Sequence, residues 1–224
     1  MEQNLDVLYE DKDIIVFIKP YGIASEGKSP NITELLREYW QDEKAYVGII
    51  NRLDVTTMGV MVIAKNKFAA AALSKQITER EFQKVYMAAV EGEPPEEGEW
   101  TDYLFKDSKK NKVYPVKSLR KGAKEAKLTY QVIARAETEN GIRSMVAVKL
   151  LTGRTHQIRV QFASRGYPLM GDGKYGSKDN KTKCSLALTA IRFMHPRTGK
   201  ECIYNIGVEG EPWELFADGL LEKR

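Results

Sequence analysis

Thiol and imidazole groups are scarce in this chain. Among its 224 residues stand two cysteines, Cys184 and Cys202, and two histidines, His156 and His195. With no Cys-x-x-Cys spacing and so few partners, a zinc site or a disulfide framework is excluded, and both cysteines are expected to pack as free thiols in a reducing compartment. No apolar run reaches the ~20 residues that a membrane helix requires, and no signal peptide opens the chain. A cytoplasmic protein without a membrane partner is expected. Gly-x-Gly-x-x-Gly and Walker-type loops are also missing, so nothing asks for a dinucleotide or ATP. No long Pro/Gly/Ser linker and no internal repeat divides the sequence. The acidic stretch from Glu91 to Glu99 reads as a surface connection inside one domain. Residues 1–224 are therefore expected to form a single domain, monomeric and long enough to bury a core without disulfides or metal.

What is present is charge, and it is segregated. The net charge of +4, from 35 basic and 31 acidic residues, is too small to mark a nucleic-acid binder. Its distribution says more: residues 1–46 hold five basic and ten acidic side chains, 106–127 hold nine and two, and 149–183 hold eight and two. Two basic blocks of this kind favour a phosphate-facing surface.

Strand-like runs lie at 13–18, 45–50, 59–65, 82–90, 127–134, 143–151, 184–193 and 201–208. Helical patterns cover about 67–80, 155–165 and 212–221. A further helix begins after Asn31, which can cap it with Glu34 reaching back, and it would set Ile32, Leu35, Leu36, Tyr39 and Trp40 on one face. Strands outnumber helices without alternating with them. This predicts an α+β fold, a mixed and largely antiparallel sheet with flanking helices.

Three segments carry the chemistry. Asn51-Arg52-Leu53-Asp54-Val55-Thr56-Thr57-Met58-Gly59 sets an acid beside an arginine in a polar turn before an apolar strand. In Phe82-Gln83-Lys84-Val85-Tyr86-Met87, strand alternation points Lys84 and Tyr86 the same way. In Leu151-Thr152-Gly153-Arg154-Thr155-His156-Gln157-Ile158-Arg159-Val160, a helix from Thr155 sets Arg159 beside the apolar stripe of Ile158 and Phe162, where an unpaired guanidinium is costly. Arg159 therefore needs a carboxylate.

The order and spacing of these segments, with Ile14 to Gly22, Gly166 to Gly176 and Met194 to Gly199, resemble the RluA-type pseudouridine synthases over most of the chain. That resemblance implies an RNA uridine isomerase of ribosomal or transfer RNA that flips its target base and uses no cofactor, and no DNA partner is expected. It makes Asp54 the catalytic carboxylate, attacking sugar or base or removing a ribose proton. It also makes Tyr86 the base-stacking residue and candidate acceptor of the C5 proton, and Arg159 the partner of Asp54. Arg52 resembles the arginine that enters the space left by the flipped base. Lys84 and Arg154 either touch phosphate or support the residues that do, and His156 reads as a hydrogen-bonded structural residue.

The chain departs from the family where Asn51, Gln161 and Thr189 stand at positions often occupied by His. No separate N-terminal RNA-binding module is expected before the catalytic segment. Two other readings compete: a non-catalytic RNA-binding or RNA-chaperone protein that keeps the fold, and a glycosidase-like hydrolase, for which a second acid near the motifs is lacking.

Overall fold

The computed structural model describes residues 5–179 and 182–217. Two compact units emerge, one from Met1–Lys84 with Leu188–Gly207 and the other from Val85–Ala187 with Val208–Arg224.

The first unit is built on continuous apolar strands. β1 (Asp6–Glu10), β2 (Ile14–Lys19), β4 (Met58–Ala64) and β10 (Leu186–Met194) lie side by side, with β3 (Gly48–Ile49) on β4 and β11 (Glu201–Asn205) on β10. Ile14 to Phe17 and Val60 to Ala64 are wholly buried, as expected of strands covered on both faces. α1 (Ile32–Trp40) has the predicted capping box of Asn31 and Glu34, and it buries Ile32 and Leu36. Tyr39, placed on the same face by the sequence pattern, is instead exposed, because the stripe drifts past the contact just before Gln41 ends the helix in a left-handed conformation. α2 (Lys67–Thr78) is capped by Asn66. Its Gln76 amide donates to the Met194 carbonyl at 2.7 Å and accepts from the Met194 N–H at 2.8 Å, fixing the helix to β10. Buried Asp13 binds Arg197 and the Asn66 amide, and the Arg197 hydrogen bonds hold its carboxyl below the usual carboxylate range.

The second unit is an antiparallel meander in the order β5 (Gln83–Glu91), β9 (Gly141–Leu150), β8 (Ala123–Thr138), β6 (Glu97–Asp107), β7 (Lys112–Val116). β1, β6 and β7 were not anticipated. In β1 and β6 most side chains are exposed or half-buried, so neither shows an apolar run. The basic block at 106–127 consequently forms a hairpin end, where Lys106, Lys109, Lys110, Lys117, Arg120, Lys121 and Lys124 are all exposed. α3 (Gln157–Ala163) begins two residues later than predicted. The Gln157 side chain accepts from the Arg154 N–H and the Thr152 hydroxyl, which shapes the turn before the helix. The pattern at 212–221 appears as a short 3-10 turn at Trp213–Phe216, and its end lies outside the described residues. Among the described residues no helix is long and apolar enough to cross a membrane.

Candidate active site

Asp54 sits half-buried in a loop fastened at several points within the first unit. The Ser25 hydroxyl donates to the Leu53 carbonyl at 2.8 Å and accepts from the Leu53 N–H at 2.9 Å. One residue beyond Asp54, the Val55 carbonyl accepts from Gly22 N–H, and Thr57 N–H closes the turn onto the Asp54 carbonyl. Asn51 is buried, with its amide donating to the Val60 carbonyl at 3.0 Å and accepting from the Val62 N–H at 2.8 Å. The neutral amide of Asn51 thus supplies both a donor and an acceptor. The loop leaves through Gly59, whose φ of +132° suits only glycine and whose missing Cβ would stand 2.3 Å from the Leu188 carbonyl oxygen. Arg52, beside the acid, is exposed and pairs with Glu26 at 3.3 Å.

Behind this loop lies a lysine that the sequence reading left unassigned. Lys19 is wholly buried at the end of β2, and its ammonium donates to the Pro20 and Ile23 carbonyls at 2.7 and 2.9 Å. Burial pushes it down to about 8, and the negative charge of Asp54 works against that shift. Below pH 8 the folded and unfolded chains both hold this proton, so the full cost of the buried charge is present. As pH rises toward the unfolded value of 10.5, the folded state has already shed the proton and the cost is relieved. Stability from this group should therefore increase between about pH 8 and about pH 10, and Lys19→Met should abolish that increment in urea titrations at the two pH values.

On β5, Tyr86 is 7 % exposed and faces Val148 across the ladder. Lys84 is half-buried, with its ammonium 6.0 Å from the centre of the Phe82 ring, and burial lowers its pKa. The strand lets both side chains emerge on one face, as the alternation requires.

Arg159 is buried on α3. The predicted need for a carboxylate is met by a residue that sequence reasoning did not single out: Asp172 receives Nε at 2.6 Å and Nη2 at 2.7 Å, a bidentate pair. Asp172 is itself buried. It follows Gly171, which has φ +72° and whose absent Cβ would meet the Thr182 and Lys183 carbonyl oxygens at 2.5 and 2.4 Å. A signal for Asp172 was present in the Gly171-Asp172-Gly173 stretch of the resemblance. Asp172 holds that guanidinium from within its own unit. Arg154 is half-buried and donates through Nε to the Glu125 carbonyl at 2.8 Å. Arg165 binds Asp102, as does the Gln161 amide at 2.7 Å. The second basic block is therefore less of a free phosphate-facing surface than its charge count implied. His156 accepts the structural role expected of it, with Nδ1 2.7 Å from the Tyr175 hydroxyl.

Asp54 and Arg52 thus belong to the first unit, which ends its leading segment at Lys84, whereas Tyr86, Arg154 and Arg159 belong to the second. Among the described residues no group of three or more His, Cys, Asp or Glu is arranged to hold a metal ion.

The fold is that of the pseudouridylate synthase domains. It superposes on human RNA pseudouridylate synthase domain containing 1 with a TM-score of 0.81 at 21% identity, covering 100% of this chain and 95% of the other. Residues 13–164 match the family described as RNA pseudouridylate synthase. The chain is 34% identical over 88% of its length to ribosomal large subunit pseudouridine synthase C of Buchnera aphidicola, of which it spans 65%. It is also 34% identical over 86% of its length to dual-specificity RNA pseudouridine synthase RluA of Vibrio parahaemolyticus, of which it spans 79%. The chain belongs to the RNA pseudouridylate synthase family, whose members are isomerases, and the RluA-type resemblance and the α+β expectation are both borne out.

Proposed function

We propose that this chain isomerises uridines in a ribosomal or transfer RNA, with Asp54 as the catalytic carboxylate and no cofactor, acting as one catalytic domain in the cytoplasm. The observation that carries the reading is the Asp54 loop. Its backbone is fixed through Ser25 and Gly22, and its acid is left only half-buried, within the segment that matches the family. The names of two relatives, a ribosomal large subunit enzyme and a dual-specificity RNA enzyme, support the substrate class.

The reaction breaks the bond from ribose C1′ to N1 and joins C1′ to C5, with one proton lost from C5 and one gained at N1. No electrons are exchanged. The target base leaves its stack at a cost of a few kcal/mol, part of which stacking on the Tyr86 ring offsets by about 1–3 kcal/mol. The Asp54 carboxyl group acts on the sugar or the base, Tyr86 accepts the C5 proton, and Arg159 stabilises negative charge. Arg52, Lys84 and Arg154 serve the flipped nucleotide and its phosphates. The exposed lysines of the β6–β7 hairpin supply the sequence-independent attraction to RNA.

Mapping pseudouridines in total RNA from cells with and without the protein tests this reading. A position that loses its pseudouridine with the protein and regains it on re-expression names the substrate. Unchanged maps under all growth conditions tried would leave RNA binding without catalysis as the better account.

A further inference from the structure

One four-residue segment of the second unit, residues 172–175, links Arg159 to the tip of the basic hairpin. Asp172 grips the guanidinium. The Lys174 ammonium donates to the Asn111 carbonyl at 3.0 Å, at the tip of the basic hairpin. The Tyr175 hydroxyl accepts the Val113 N–H of β7 at 3.0 Å and lies 2.7 Å from His156 Nδ1. The imidazole tautomer sets which of Tyr175 Oη and His156 Nδ1 donates in this hydrogen bond. The Tyr175 ring lies 5.1 Å from the Arg159 guanidinium carbon and 5.4 Å from the Lys112 ammonium. It also packs on the small core of Leu104, Val113, Ala126 and Val160, which joins β6, β7, β8 and α3. His156 itself stands at φ +52°, ψ +22°, a left-handed conformation that costs a non-glycine residue energy. In that conformation it meets Tyr175 at the entrance to α3.

We propose that Tyr175 is a positioning residue that splints the basic β6–β7 hairpin to the helix carrying Arg159, so that RNA held by the hairpin is held in register with that guanidinium. The hydroxyl fixes the hairpin and the ring fixes the arginine, two functions that different substitutions separate. The inference rests on the reading that the hairpin faces RNA.

The test measures affinity for a uridine-rich single-stranded RNA oligonucleotide against salt, alongside single-turnover tritium release from total RNA carrying 5-tritiated uridine. Tyr175→Phe should weaken binding about tenfold, flatten the salt slope and lower release at saturating protein about threefold, because RNA on the loosened hairpin is no longer held in register with Arg159 although the ring remains under the guanidinium. Tyr175→Leu should lower release about tenfold as well. Lys174→Met, a change at an exposed side chain, should flatten the slope in the same direction. The reference is the triple variant K106Q/K109Q/K110Q, in which loss of three phosphate contacts should reduce the slope by about 2. Added to that variant, Tyr175→Phe should cost little more, whereas a merely structural role gives additive losses. If the lysine variant flattens the slope but Tyr175→Phe and Lys174→Met do not, the splint is overturned and the hairpin reading stands. If the lysine variant itself leaves the slope unchanged, the hairpin reading falls and the splint with it.

Discussion

Asp54→Asn should reduce tritium release from RNA carrying 5-tritiated uridine by about a thousandfold or more, with RNA affinity and thermal stability close to wild type. The substitution removes a charge at nearly constant volume. The fastenings of the loop, from Ser25 to Leu53, Gly22 to Val55 and Thr57 to the Asp54 carbonyl, involve no Asp54 side-chain atom and should survive it. A second consequence follows at Lys19. The negative charge of Asp54 opposes the effect of burial on that lysine, so in the Asn variant Lys19 should lose its proton at a pH below 8 and the rise of stability with pH should begin earlier. Near-normal release by the variant would remove Asp54 from the chemistry.

Asp172→Ala should lower the unfolding free energy by about 3–5 kcal/mol, because it strands the buried Arg159 guanidinium without its bidentate carboxylate. At about 2–4 °C per kcal/mol for a chain of this size, the midpoint of thermal unfolding should fall by roughly 6–20 °C. Arg159→Met with Asp172→Leu replaces the pair by apolar groups, so the double variant should recover most of the lost stability. Activity should not return with it, since the Arg159 guanidinium is then missing from the stabilisation of negative charge on the substrate. Calorimetry and tritium release on the same preparations separate the two effects. A double variant that regains both would make Arg159 a structural residue alone.

The parts of this protein that were legible in its sequence are those whose physics is local. The Asn31–Glu34 capping box and the apolar runs of β2 and β4 depend on neighbours a few residues away, and each is found as expected. The strands β6 and β7 were hidden because, apart from Leu104 and Val113, their side chains are half-buried or exposed, and several carry the charges of a solvated loop. Arg159 was legible as a buried cation in need of an acid. Its bidentate partner was not, because Asp172 stands 13 residues away beyond a turn that no spacing rule prescribes. Lys19 sat in a quoted motif without a role, since only the folded chain shows that the loop of residues 20–23 wraps its carbonyls over the ammonium. Tyr175 was hidden for the same reason, its partners Val113 and His156 being 62 and 19 residues distant.

The central claim, that the chain rearranges uridine rather than merely binding RNA or releasing its base, is tested most directly by nucleoside analysis. Purified protein would be incubated with RNA carrying 5-tritiated uridine and the RNA then digested completely. The account predicts pseudouridine formed one for one with tritium released, no free uracil, and neither product with the Asp54→Asn protein. Bound RNA whose uridines are all unchanged, or free uracil in place of pseudouridine, would contradict it.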